Sequence, residues 1–223
     1  MADGRRRVRV KVCGITRLED GIHAHRAGAD YLGVIASEGF SRSTSLSLAA
    51  ELAAETGMPV VAVTVNEPAA RLAQIARTAG AAVLQLHGEE SPEVLRILRD
   101  AGDWKLWKAL RVRTADEVLE ALARYGDVAD AILLDGWHPE HRGGSGSRFP
   151  WDVVSALRGE FPEATELVAA GGLTPSNVAE AVRELRPDVV DVSSGVEMEK
   201  GRKDAGRMRT FIENAKRAMQ EES

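Results

Sequence analysis

Short apolar runs alternate along this chain with longer stretches in which apolar residues recur every three or four positions. The runs are Val8–Val12, Tyr31–Ile35, Val60–Val65, Ala82–Leu86, Leu106–Leu110, Ala131–Leu134, Leu167–Ala170 and Val189–Val192. They lack the polar alternation of a strand with one wet face, so they read as strands of a parallel sheet covered by helices. Between them, Pro68–Ala79 places Leu72, Ile75 and Ala76 on one stripe, and Pro92–Leu98 offers Val94, Leu95 and Leu98. Leu48–Ala54, Val118–Ala123, Val153–Leu157, Val178–Leu185 and Met208–Ala215 repeat the helical spacing. Helix starts carry capping hydroxyls, a first-turn proline or first-turn acids at Ser91-Pro92-Glu93, Thr114-Ala115-Asp116-Glu117 and Thr174-Pro175-Ser176-Asn177. Gly28, Gly57, Gly80, Gly102 and Gly126 stand where helices close.

Eight strand-then-helix units share 223 residues. That is about 28 residues per unit, close to the smallest workable βαβ repeat. The pattern predicts an α/β fold: a single-domain (β/α)8 TIM barrel of eight parallel strands over residues 1–223, with a core from about 8 to 215. An open doubly wound sheet is the competing architecture. Its Gly-rich dinucleotide loop is missing after the first strand, where the chain reads Val12-Cys13-Gly14-Ile15-Thr16.

Composition narrows the class. Hydrophobic residues make up 44% and charged residues 28%, ordinary globular usage. Twenty-nine basic against 34 acidic residues leave a net charge of −5 and no basic block, which argues against a nucleic-acid partner. No apolar stretch approaches the roughly 18–20 residues of a membrane span, and no signal core follows the charged N-terminus. The lone cysteine, Cys13, excludes an internal disulfide. The expectation is a cytoplasmic enzyme without membrane contact, monomeric or homodimeric.

In a barrel, chemistry sits at the C-terminal ends of the strands. Candidates there are Cys13, Arg42, Asn66, His87, Arg111, Asp135, Gly171-Gly172 and the segment from Asp191 to Gly195. The loops after strands seven and eight, with Gly171, Gly172, Ser193, Ser194 and Gly195, offer backbone N–H groups to an anion at the two positions where barrels bind phosphate. Cys13 is either a small buried hydrophobe or, at the mouth of strand one, a base or nucleophile; Lys11 alternates with it on the same strand. Asp135 ends an apolar strand ahead of the glycine-rich segment Arg142–Gly146, which reads as a lid over a general acid. His23 and His25 do not share a helix face, and His138 and His141 have no Cys partner, so no metal site is expected. His87 either touches substrate or caps a turn. Trp104, Trp107 and Trp151 read as packing, whereas Trp137 sits where the lid lays it on a ring.

Taken in order, these segments resemble a known family. They are Lys11-Val12-Cys13-Gly14-Ile15-Thr16, Gln85-Leu86-His87-Gly88-Glu89-Glu90 and Leu133-Leu134-Asp135, then Gly143-Gly144-Ser145-Gly146 with Phe149 and Trp151. Gly171-Gly172-Leu173-Thr174-Pro175-Ser176-Asn177-Val178, Asp191-Val192-Ser193-Ser194-Gly195-Val196-Glu197 and Gly201-Arg202-Lys203-Asp204 complete the set. From about Val8 to Ala215 the chain resembles the phosphoribosylanthranilate isomerases of tryptophan biosynthesis. The resemblance implies an Amadori rearrangement of a small phosphorylated aminoaldose, with no metal and no cofactor. It also implies Cys13 as general base, Asp135 as general acid, Arg42 near the anthranilate carboxylate and Asp191 near the ribosyl hydroxyls, with His87 a neighbour of unassigned role. The loop after strand two departs from the family's Lys-Ser-Pro-Arg-Tyr pattern: Gly39-Phe40-Ser41-Arg42-Ser43 keeps only the arginine. Ser147 and Pro150 stand where the family's lid carries Lys and Asp. Three rivals are a histidine-pathway isomerase of the same chemistry, a catalytically silent phosphate-binding barrel and a cysteine-nucleophile hydrolase. The first looks to have an aspartate in place of Cys13, the second has no need of Cys13 and Asp135, and the third lacks a His–Asp relay.

Overall fold

Strands that are apolar on both faces must be covered on both, and this chain does so by closing its sheet on itself. The computed structural model describes residues 7–112, 114–136 and 151–220. Eight strands follow one another in register: β1 (Arg9–Val12), β2 (Tyr31–Ile35), β3 (Val60–Thr64), β4 (Val83–Leu86), β5 (Lys105–Val112), β6 (Ala131–Gly136), β7 (Glu166–Ala170) and β8 (Val189–Val192). Every neighbouring pair is parallel, and β8 pairs back onto β1 through Arg9–Val189 to Val12–Val192, so the barrel is closed. The helices are α1 (Leu18–Ala27), α2 (Leu46–Thr56), α3 (Ala69–Ala79), α4 (Pro92–Ala101), α5 (Ala115–Tyr125), α6 (Trp151–Ala156), α7 (Val178–Leu185) and α8 (Ala205–Gln220). The expected (β/α)8 architecture is the one observed.

Alternate residues of each strand serve two cores. Val10, Val12, Leu32, Val34, Leu84, Leu86, Ile132 and Leu134 face outward against Leu72, Ile75, Leu95, Val182, Phe211 and other helix residues. Cys13, Tyr31, Val61, Val63, Val83, Trp107, Leu133, Val168 and Val189 form a second cluster in the barrel interior. The period of two along a strand is what separates the two sets. Trp104, Trp107 and Trp151 are buried, as packing residues.

Helix ends follow local chemistry in part. Thr114 and Glu117 form a reciprocal capping box at the start of α5. Gly28, Gly57 and Gly80 close their helices in the left-handed conformation. Gly102 and Gly126 close theirs in ordinary extended and right-handed conformations instead. A feature absent from the sequence reading is a hairpin beyond β8: β9 (Glu197–Glu199) pairs antiparallel with β10 (Arg202–Lys203). The segment Arg142–Gly146, together with Trp137, His138, His141, Ser147, Phe149 and Pro150, lies outside the described residues. No described helix is long and apolar enough to cross a membrane.

Candidate active site

The C-terminal mouth of the barrel holds a cavity of about 240 Å³ lined by Cys13, His87, Asp135, Gly171, Gly172, Asp191, Ser193, Ser194 and Gly195, with Ile35, Val63, Gln85, Ala170 and Leu173. Cys13, His87, Asp135, Asp191 and the two glycine-rich segments singled out from sequence therefore face one space. Arg42, Asn66 and Arg111, also candidates at strand ends, do not line it.

Cys13 follows β1 directly. Its N–H bonds the Val192 carbonyl at 2.8 Å, which fixes the first turn to the end of β8. Its side chain is largely buried. Below it on the same face of β1, Lys11 has no exposed side-chain surface, and its Nζ donates to Asp191 Oδ2 at 2.9 Å. Burial pulls Lys11 down, but Asp191 and the Cys13 sulfur more than offset it, so its ionisation is held above the ordinary lysine value. Burial pushes the Cys13 thiol up, Lys11 and Lys203 oppose that, and Asp191 adds to it, leaving the thiol above its ordinary value in the ligand-free protein. Space for this pair comes from Gly33 on β2. A Cβ there would stand 2.9 Å from Cys13 Sγ and 2.9 Å from Lys11 Cε. Asp191 Oδ1 is buried and has no hydrogen-bond partner.

Across the mouth, Asp135 belongs to β6 itself, whose ladder runs past the expected end at Leu134 and pairs Asp135 with Arg111 and Ala170. Its Oδ2 lies 3.4 Å from His87 Nε2. His87 Nδ1 in turn meets Gln85 Nε2 at 3.0 Å. Gln85 on β4 and His87 just beyond its end are two residues apart and both line the cavity. That alternation was the available signal for Gln85, which the sequence reading left without a role.

The glycine-rich rim of the cavity has two halves. Gly171 and Gly172 both take left-handed backbone angles, φ 83° and 66°, which L side chains rarely adopt. Asn177 ties this turn by accepting from the Thr174 N–H at 2.7 Å and donating to the Gly172 carbonyl at 3.1 Å. After β8, Ser194–Val196 forms a single 3-10 turn. Gly195 packs so close to the first loop that a Cβ would stand 2.0 Å from the Leu173 carbonyl oxygen. The α7 helix begins only at Val178, so the glycine turn, and not the end of α7, borders the cavity after β7.

Arg42 is held by an acid the sequence reading did not single out. Its Nε and Nη2 bind Glu197 Oε1 and Oε2, both at 2.7 Å. Lys203 Nζ bonds the same carboxylate at 2.9 Å and the Ser193 carbonyl at 3.1 Å. The β9–β10 hairpin thus anchors both the loop after β2 and the loop after β8. A side-on grip by Glu197 uses one edge of the guanidinium and leaves Nη1, a second donor edge suited to another carboxylate. Among the described residues, no group of three or more His, Cys, Asp or Glu side chains is gathered as a metal site.

The chain matches the family model described as N-(5'phosphoribosyl)anthranilate (PRA) isomerase over residues 10–214. It is 39% identical over 214 residues to the N-(5'-phosphoribosyl)anthranilate isomerase of Neisseria meningitidis serogroup B, covering 95% of this chain and 98% of that one. It is similar to the crystal structure of phosphoribosyl anthranilate isomerase from Thermotoga maritima, with TM-score 0.84, 38% identity and coverage of 94% and 98% of the two chains. A further crystal structure, of a phosphoribosyl anthranilate isomerase in complex with reduced 1-(o-carboxyphenylamino)-1-deoxyribulose 5-phosphate, matches with TM-score 0.81, 34% identity and coverage of 94% and 98%.

Proposed function

The chain belongs to the N-(5'-phosphoribosyl)anthranilate isomerase family, and on that premise we propose that Cys13 and Asp135 are the base and acid of its Amadori rearrangement. The substrate is N-(5-phosphoribosyl)anthranilate and the product 1-(2-carboxyphenylamino)-1-deoxyribulose 5-phosphate, a step of tryptophan biosynthesis. Asp135 gives its proton to the ring oxygen as the C1–O bond breaks, and the nitrogen lone pair forms the C1=N bond of an iminium. That cation acidifies the C2 hydrogen, which the Cys13 thiolate removes, giving an enolamine. Protonation of C1, with loss of the C2 hydroxyl proton, converts the enolamine to the ketone. Atoms and electrons balance within the substrate, because the aldehyde-level carbon is reduced as C2 is oxidised.

What supports this reading is one observation: the chain's single cysteine and Asp135 face the same cavity, which the pair of glycine turns also lines. A phosphate on Gly171, Gly172, Ser194 and Gly195 would fix one end of the substrate, converting the proton transfers into positioned, intramolecular events. Ser193 lies beside them, with its carbonyl already engaged by Lys203. The unpartnered Oδ1 of Asp191 suits a ribosyl hydroxyl. The free edge of Arg42 suits the anthranilate carboxylate, with the guanidinium aimed by Glu197. His87, beside Asp135, suits the stabilisation of that carboxylate once its proton has left.

The test is turnover by the purified protein of both aminoaldoses, phosphoribosylanthranilate and the corresponding histidine-pathway precursor. Loss of anthranilate fluorescence with the first and no reaction with the second is expected. Turnover of the histidine precursor alone would overturn the reading.

A further inference from the structure

We propose that Lys11 is a positioning residue for the base: its buried ammonium is the counter-charge of the Cys13 thiolate, shared with Asp191 so that filling Asp191 hands the charge to sulfur. This rests on the reading of Cys13 as the base and adds a group that the family resemblance does not assign.

Most of the barrel interior is filled by apolar side chains such as Val61, Val83, Leu133, Val168 and Val189. A lysine among them, with no exposed side-chain surface, is costly to desolvate. Packing alone would be served by a leucine or methionine. What the ammonium touches is specific. Its Nζ bonds Asp191 Oδ2 at 2.9 Å, and its stem lies beside the Cys13 sulfur, since one Cβ at Gly33 would stand 2.9 Å from both Lys11 Cε and Cys13 Sγ. Gly33 keeps the neighbouring strand clear of both side chains. Lys11 and Asp191 are direct partners across the β1–β8 ladder, so their contact is set by the barrel's register and not by a flexible loop.

The charged groups acting on the sulfur come from each surrounding element. Lys11 stands on β1, Asp191 on β8, Lys203 on β10 and Arg42 on the loop after β2. On β2, Gly33 stands against the thiol and brings no charge. The cations favour the thiolate and Asp191 opposes it. Asp191 also carries the unpartnered oxygen, Oδ1, and lines the cavity. A substrate hydroxyl donating to Oδ1 takes up part of the carboxylate's charge. The hold of Asp191 on Lys11 then weakens, and the ammonium's attraction falls on sulfur. The base is thereby ionised when substrate is present and largely protected as a thiol when it is not, which also limits oxidation of the resting enzyme.

Because Cys13 is the chain's single cysteine, alkylation by iodoacetamide reports its ionisation alone. The full-length protein, Lys11→Met and Asp191→Asn are each alkylated across a pH series without substrate. The two variants are expected to move the profile in opposite directions. Lys11→Met shifts it alkaline by about one pH unit or more, roughly tenfold slower alkylation at neutral pH, and Asp191→Asn shifts it acid by a similar amount. Profiles that stay put, or that move the same way, would overturn the proposal. If Lys11→Met fails to fold, Lys11→Gln, which keeps a hydrogen-bond donor but not the charge, takes its place with the same alkaline shift expected, and an unmoved profile overturns the proposal. Turnover by Cys13→Ala tests the underlying reading separately: an active Cys13→Ala removes the base, whereas unmoved profiles remove only the role of Lys11.

Discussion

Replacing Gly33 by alanine should damage catalysis more than it damages the fold. The added Cβ would stand 2.9 Å from Cys13 Sγ, 2.9 Å from Lys11 Cε and 3.0 Å from Cys13 Cα. Non-bonded carbon contacts settle near ~3.5–4.0 Å, so sulfur and lysine stem must each retreat by roughly 0.6–1 Å. The Cα cannot retreat cheaply, because β1 is locked to β2 and β8 by its ladders. Overpacking of this kind costs about 1–3 kcal/mol of stability. Displacing a reacting group by about 1 Å costs up to roughly 100-fold in rate. Gly33→Ala is therefore expected to lower kcat by about 10–100-fold, and to leave KM nearly unchanged because the glycine turns and Arg42 are untouched. Steady-state rates from loss of anthranilate fluorescence, with urea unfolding of the same preparation, measure both quantities. A kcat within about twofold of the parent would refute the crowding argument. So would a loss of rate matched by the fraction unfolded.

Two other substitutions probe the periphery of the site. Gly195→Ala drives a Cβ to 2.0 Å from a backbone oxygen of the neighbouring loop, so both halves of the anion cradle must part. KM should rise about tenfold or more with a smaller change in kcat, and an unchanged KM would contradict the cradle assignment. Glu197→Gln removes the carboxylate that holds Arg42 and Lys203, and should cost roughly 3 kcal/mol in urea unfolding, toward the low end for a broken buried pair because the amide oxygen still accepts a hydrogen bond. Its acid limb should also flatten. Burial raises Glu197, but Arg42 and Lys203 more than offset it and hold the carboxyl below its ordinary 4.5. A depressed carboxylate adds stability that is complete above the unfolded value and lost as pH falls through the folded one. Thermal midpoints of the parent should therefore drop below about pH 4.5 more steeply than those of Glu197→Gln, and parallel curves would count against the pairing.

The barrel was legible because its strands are runs of valine and leucine that no wet surface would tolerate, and because helix stripes such as Leu72–Ile75–Ala76 repeat between them. Cys13, Asp135 and the glycine turns were legible from position alone, once strand ends were known. What was not legible depended on charged residues buried by tertiary pairing. Glu197 and Lys203 belong to motifs that carry the resemblance but gave no role from sequence, and their short, charged segment, Glu197-Met198-Glu199-Lys200-Gly201-Arg202-Lys203, has no apolar pattern to signal burial. Their burial rests on distant partners: Arg42, 155 residues from Glu197 in sequence, and Asp20, 183 residues from Lys203. Lys11 gave a partial signal, alternating with Cys13, but its partner Asp191 is 180 residues distant. Strand β6 ends later than its apolar run because a ladder continues through Asp135 as long as its neighbours supply partners, whatever the side chain. Helix closure at Gly102 and Gly126 without left-handed angles shows that a glycine marks the stop more reliably than it marks the geometry.

The central claim is that two strand-end side chains exchange protons with one substrate. The measurement that tests it most directly is turnover of phosphoribosylanthranilate by Cys13→Ala and Asp135→Asn beside the parent protein, at saturating substrate and with folding checked by circular dichroism. Loss of a positioned general acid or base costs about 100- to 10,000-fold. Each variant should fall by that much while retaining substrate affinity. Near-parent turnover in either folded variant would contradict the assignment.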